Sequence, residues 1–197
     1  MGTRNENGLI KKSNFMKEYF EEFEYCPKCG QKYSENDFNK DGYFFTCEKC
    51  GFKFFQNSKP ATAVIIPNAK DKSEVLLTKR AINPHQGLLD TPGGFLNYGE
   101  ESLEGAEREI EEELGIKIEI EKFLFTVNVD YTYQGFCNNV LVVFFLAKPL
   151  EFEPKDIDNK ENIDCKFYNL SDIINHPEKM AFESDRKALK KYFESLK

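Results

Sequence analysis

Long apolar runs are the first thing this 197-residue chain lacks. No stretch approaches the roughly 20 apolar residues that a membrane-spanning helix needs. The opening residues, MGTRNENGLIKKSN, lack the apolar core of a signal peptide. A cytoplasmic location is the expectation. An excess of basic charge is also missing: 27 Lys and Arg stand against 34 Asp and Glu, a formal net charge of −7. That balance argues against general binding to nucleic acid or membrane surfaces, and an anionic substrate needs local cations to draw it in. Internal repeats and low-complexity tracts are absent. What is present suffices for a packed core: 40% hydrophobic and 14% aromatic residues, in a length that suits one ordinary domain with a small appendage.

Cysteine is used sparingly and in a pattern. Cys26-Pro-Lys-Cys29-Gly and Cys47-Glu-Lys-Cys50-Gly are two CxxC knuckles about one hairpin apart. The spacing suits a tetrahedral Cys₄ zinc site, a zinc ribbon, and in a cytoplasmic protein disulfides are the weaker explanation. Tyr33, Phe38, Tyr43, Phe44 and Phe45 lie between the knuckles and are expected to fold over the metal. A segment so short can hardly fold without it. Four protein ligands leave no open position for catalysis. Between Cys26 and Lys59 six lysines face four acids, so four thiolates and one Zn²⁺ bring the segment to neutrality. The expected role is structural or in dimerisation. Cys137 and Cys165 stand alone and read as small buried hydrophobes.

The densest chemistry lies in GFLNYGEESLEGAEREIEEELGI, from Gly94 to Ile116. Ser102 is placed to cap a helix running to Leu114, and Gly115 sits where a left-handed cap is wanted. At 3.6 residues per turn, Leu103, Ala106, Ile110 and Leu114 form the core-facing stripe. Glu109, Glu112 and Glu113 share one flank of it, while Glu104, Glu107 and Glu111 share the other and read as a solvated acidic face. Like charges three or four residues apart cost a helix a few tenths of a kcal/mol per pair. At the edge of a buried surface screening is poor, so the first flank is costly unless a cation sits in it. Hard oxygen donors of this kind suit Mg²⁺ or Mn²⁺. The preceding Thr91-Pro92-Gly93-Gly94 turn lets backbone approach closely. Arg108 reads as a fork that orients a glutamate.

This segment resembles the signature of the Nudix hydrolases, filled by Gly94, Glu100, Arg108, Glu109, Ile110, Glu112, Glu113, Gly115 and Ile116. At ordinary residue frequencies such a match arises by chance less than about once in 10^7 starts. The resemblance implies an α/β sandwich with a mixed sheet. It implies metal-dependent hydrolysis of a pyrophosphate linkage in a nucleotide-type substrate, with the Gly93 carbonyl completing the shell of Glu109, Glu112 and Glu113. Within the family, a Cys₄ ribbon directly before the domain is similar to the NADH pyrophosphatase group, as are NSKPATAVII and LLTKR…TPGGF. The SQPW-type motif of that group is replaced here by NVDYTYQGF, and the proline spacing of ADP-ribose pyrophosphatases is absent. Tyr131 and Tyr133 lie near where diadenosine-polyphosphate hydrolases keep a tyrosine.

Three segments follow: residues 1–24, a helical extension with Phe15, Met16, Tyr19, Phe20 and Phe23 at helical spacing; residues 25–57, the ribbon; and residues 58–197, the hydrolase domain. In the last, strands are expected at 61–66, 74–79, 117–130, 140–147 and 166–168, and helices at 171–175 and 183–196. Glu109 is the first candidate for general base. Glu161, six residues before Phe167, is a later one, in competition with Glu151, Glu153, Asp156 and Asp158. Arg80, at a strand end before the box, is a candidate contact for a substrate phosphate. Two other readings compete: a nucleotide-sensing Nudix-like regulator, and an RNA-processing, decapping-type hydrolase. All box glutamates are kept, which disfavours the first, and the acidic balance disfavours the second. The family habit suggests a homodimer.

Overall fold

The computed structural model describes residues 23–39, 44–133, 136–150 and 161–196, and the chain divides into two compact units, Met1–Asn57 and Ser58–Lys197. The expected N-terminal helix, Tyr43 and the acidic stretch holding Glu151, Glu153, Asp156 and Asp158 lie outside the described residues.

The first unit is a three-stranded antiparallel sheet in the order β1 (Phe38–Asn39), β2 (Phe44–Thr46), β3 (Lys53–Phe55). Its core is Tyr33, Phe38 and Phe45 packed with Cys26 and Cys47. Phe45 stacks on Tyr33 with ring centroids 4.7 Å apart. The buried Asp37 carboxylate ties both knuckle regions together, accepting from Ser34 N at 2.7 Å and from Glu48 N at 2.8 Å.

The second unit holds two sheets. In one, β4 (Lys59–Ile65) runs parallel to β8 (Phe136–Pro149), which pairs antiparallel with β7 (Ile118–Tyr133). In the other, β5 (Glu74–Arg80) lies between β6 (Leu89–Asp90) and β9 (Asn162–Asn169), antiparallel to both. The first sheet joins the second where Leu76 N donates to Ile66 O at 2.9 Å. Alternation along β4 shows the layering. Ala61, Ala63 and Ile65 face a core shared with helices α2 (Leu170–Asn175) and α3 (Glu183–Glu194). Val64 and Ile66 face a second core with Ala106, Ile110 and Leu114 of α1 (Ser102–Leu114). Helices therefore cover both faces, the α/β sandwich expected from the sequence.

α1 is capped as its residues dictate at the C-terminus, where Gly115 takes φ 63° and its N–H returns to Glu111 O. At the N-terminus Glu101, not Ser102, is the capping residue, and its N–H donates to the Glu104 carboxylate at 3.3 Å. Leu103 also departs from the expected stripe. It is 50% exposed, because it fronts an open groove of about 840 Å³ shared with Ile120, Phe123 and Leu150. Glu104, Glu107 and Glu111 face solvent as expected.

The turn before α1 is set by space. Gly93 adopts φ 142°, and a Cβ there would lie 2.3 Å from Thr62 O. A Cβ on Gly94 would lie 2.6 Å from the Glu109 carboxylate. Two hydrogen bonds press the turn onto β4, from Thr62 N to Gly94 O (2.8 Å) and from Val64 N to Pro92 O (3.0 Å). Gly93→Ala combines a strained φ with a backbone clash, so a loss of about 3 kcal/mol or more is expected in urea denaturation. Gly51→Ala, at φ 69° with nothing within 4 Å, should cost only about 1 kcal/mol.

Candidate active site and metal centre

Arg108 organises the carboxylates of the box. Its Nε and Nη2 meet Glu100 at 2.6 and 3.0 Å, and Nη2 also donates to Phe95 O at 3.2 Å. Its Nη1 lies 2.8 Å from both Glu109 Oε1 and Glu112 Oε2. One guanidinium therefore fixes the helix to the preceding turn and aims two glutamates. Hydrogen bonds from Arg108 and from Asn97 N hold the Glu100 carboxyl down at about 2. The stability this contributes is present above the ordinary carboxylate range and is lost as pH falls toward that value.

Glu113 and Glu109 lie deeper. The Glu113 carboxyl is buried although the residue as a whole is only partly so, and it accepts from Gly93 N at 3.2 Å. Burial, then the Asp90 charge, pushes it well above the carboxylate range; the Gly93 N–H opposes this, and Glu109 and Glu161 add to it. Glu109 is raised mainly by burial, against the pull of Arg108, with Glu112 and Glu161 adding to the rise. Glu112 is more open, its side chain 61% exposed. Buried acids that raise one another are an unfavourable set in isolation, and a hard divalent cation relieves them. The donors here fit Mg²⁺ or Mn²⁺ in that respect. As placed, no three of the described carboxylates bring ligand oxygens within 4.8 Å of one another, and Arg108 stands between Glu109 and Glu112.

Glu161 is an exposed residue whose carbonyl accepts from Ala81 N at 2.7 Å. Its charge is felt by both Glu109 and Glu113. Arg80, expected as a phosphate contact, is already engaged. It meets Asp90 Oδ2 at 2.5 Å, donates to Pro84 O at 2.9 Å and lies 4.9 Å from the Phe182 ring. Phe182 continues an aromatic run, with Tyr131 at 5.6 Å and Phe95 a further 5.8 Å from Tyr131. Phe95 follows Gly94 directly, so the run begins at the turn beneath the carboxylates. Sequence reasoning missed Phe95, Phe182 and Asp90, for only the fold brings the β6 region and the segment before α3 together.

In the first unit, the Sγ atoms of Cys26, Cys29, Cys47 and Cys50 all lie within 4.8 Å of one another. The Cys26–Cys50 and Cys29–Cys47 pairs are 3.7 and 3.6 Å apart, and all four cysteines are free. Four thiols meeting at one point without a disulfide are compatible with a tetrahedral zinc site. A second observation fits it. The Tyr33 hydroxyl is buried with no oxygen or nitrogen partner, and it points at the Cys26 sulfur. Burial pushes the Cys26 thiol up, but N–H groups of Cys29 and Lys28 and the Tyr33 hydroxyl outweigh it and bring it down to about 6. Cys165, by contrast, is pushed up to about 12 by burial and by the charges of Asp164 and Glu113, the state of an inert core thiol.

A profile of the NUDIX domain matches residues 57–192. ADP-ribose pyrophosphatase of Methanocaldococcus jannaschii is 31% identical over 128 residues, 64% of this chain and 70% of that one. NAD-capped RNA hydrolase NudC of Haemophilus influenzae (strain PittGG) is 31% identical over 96 residues, 48% of this chain, and the match spans only 34% of the relative's length. A crystal structure of a NUDIX hydrolase from Nitrosomonas europaea superposes with a TM-score of 0.59 at 25% identity, covering 85% of this chain and 91% of that one. On this sequence match and this fold, the chain belongs to the Nudix family. Among its described residues no helix is long and apolar enough to cross a membrane.

Tyr33→Phe should keep the fold but release zinc to a chromogenic chelator several-fold faster than the parent, since it removes the hydroxyl beside Cys26. Cys29→Ser should lose the ion outright. Stoichiometric zinc and unchanged melting of the first unit in that variant would rule out the Cys₄ assignment.

Proposed function

We propose that this chain is a metal-dependent hydrolase of the pyrophosphate linkage in a nucleoside diphosphate derivative. The observation that carries the reading is Glu109 and Glu112 on Arg108 and Glu113 on the Gly93 N–H, against the Gly93–Gly94 turn, in a NUDIX domain. Glu109, Glu112, Glu113 and the Gly93 carbonyl are the groups that would hold Mg²⁺ or Mn²⁺, and the bound metal supplies charge neutralisation at phosphate oxygens and an activated water. Arg108 keeps two of the carboxylates aimed inward at no cost of reorganisation. Glu109, half-buried and raised, is suited to take the proton of the attacking water, and Glu161 is the second candidate.

The aromatic run narrows the substrate. Phe95 is 45% exposed, and with Tyr131 and Phe182 it offers ring faces beside the carboxylates, suited to a base or nicotinamide ring. ADP-ribose and NAD(H) lead the panel, in keeping with the names of the two relatives. The absent SQPW-type segment keeps NADH from being the sole choice. Arg80 acts in this reading through Asp90 and Phe182 rather than by touching phosphate. Zinc at the four cysteines serves structure. A cytoplasmic location and a homodimer complete the reading.

The test is a substrate panel with Mg²⁺ or Mn²⁺: ADP-ribose, NAD, NADH, NAD-capped RNA, diadenosine polyphosphates and sugar nucleotides, with both product halves identified by chromatography. Cleavage of one class that requires metal is expected. Glu112→Gln should lower kcat about 10²-fold or more with the fold intact. Tyr131→Ala should raise KM about tenfold with a smaller change in kcat. Tight nucleotide binding with no turnover across the panel would shift the reading to a nucleotide sensor.

A further inference from the structure

The Thr91–Gly94 turn is gripped from both helical layers. Gly93 N donates to Glu113 of α1 at 3.2 Å, and Thr91 N donates to Asp185 Oδ2 of α3 at 3.3 Å. Pro92 between them has no N–H, and the Pro92 and Gly94 carbonyls are taken by β4. Two side-chain carboxyl groups thus hold two of the turn's amides, while β4 holds two of its carbonyls. Asp185 is not where its sequence position suggests. An acid in the first turn of a surface helix is expected to face water, yet Asp185 is 3% exposed. Its other neighbours are the Ser184 hydroxyl at 3.4 Å and the carboxyl of Asp90, to which it is hydrogen-bonded. Asp90 in turn carries the ion pair with Arg80.

We propose that Asp185 is a positioning residue: as a neutral carboxylic acid it donates its proton to Asp90, accepts from Thr91 N–H, and so sets the turn that presents Gly93 and Gly94 to Glu113 and Glu109. Two adjoining buried acids do not both ionise. Arg80, from β5, pairs with Asp90 and not with Asp185, which places the proton between the two acids on Asp185. Burial first, and the Asp90 charge second, push Asp185 well above the carboxylate range. Among the described residues Glu113 of α1 is a further acid near Asp90, whose charge its carboxyl feels. The assignment satisfies every partner in the chain: Arg80 N–H to Asp90, Asp185 O–H to Asp90, Thr91 N–H to Asp185. An ionised Asp185 would leave a buried anion with one amide and one hydroxyl and no cation.

The inference rests on the proposed hydrolase reading only for its turnover readout, and the experiment adds two that do not. Full-length Asp185→Asn and Asp185→Ala are compared with the parent. Asparagine copies the neutral acid, since its amide donates to Asp90 and its carbonyl accepts from Thr91. It should retain activity within about threefold of the parent, while alanine lowers kcat about 10–100-fold with little change in KM. Amide hydrogen exchange at Thr91 and Gly93 should stay slow in the asparagine variant and accelerate in the alanine variant. The infrared difference between parent and Asp185→Asn should contain a protonated-carboxyl C=O band. An asparagine variant with unprotected Thr91 and Gly93 amides, or a difference spectrum showing only a carboxylate lost, overturns the proposal. If the alanine variant does not fold, parent and asparagine variant alone decide on these two readouts. If the parent proves inactive on every substrate, the hydrolase reading fails while exchange and infrared still judge Asp185.

Discussion

The second unit depends on one crowded turn. Gly93 and Gly94 lie so close to β4 and to Glu109 that a single methyl group at either position meets backbone or carboxylate. That contact fixes the distance between the central sheet and α1, and hence the depth at which Glu109 and Glu113 lie. The turn has no regular ladder of its own. It borrows two donors from β4 and lends two amides to acids from opposite layers. Moving any of these four partners moves the place where the carboxylates converge.

Charge is handled by a division of labour. Arg108 serves three glutamates and one carbonyl from a mostly buried position, so Glu100, Glu109 and Glu112 are met by a cation of the chain itself. Among the described residues, Glu113 has no such cation. Glu113 receives one amide, and its neighbours Asp90, Glu109 and Glu161 all raise it. The contrast is between carboxylates paired with Arg108 and one held by an amide. A site that binds a divalent cation and a polyanion needs both: rigid geometry outside, unspent negative charge inside.

Much of this was legible in the residues because local and global signals agree. The 3.6 period of α1, Gly115 at its C-terminus and the alternation of β4 each answer to short-range geometry, and the elements fall within a few residues of expectation. β6 was not legible, since two residues carry no period. Leu103 was read as core because it shares the stripe of Ile110, but a stripe says which side a residue is on and not how far the covering layer extends. Asp185 was invisible for a related reason. Nothing in FESDRKALKKY distinguishes an acid facing water from one driven under the helix against Asp90. The aromatic run was equally hidden: Phe95, Tyr131 and Phe182 come from three distant segments, and only the tertiary fold makes them neighbours.

The cysteine unit keeps a core of its own. Tyr33, Phe38, Phe45, Cys26 and Cys47 share no member with either cluster that packs around β4. A core of its own is what lets a unit be counted as a unit. Under descent with modification each core is screened by its own packing, and in the second unit the Gly93–Gly94 turn and its acids must change together or not at all.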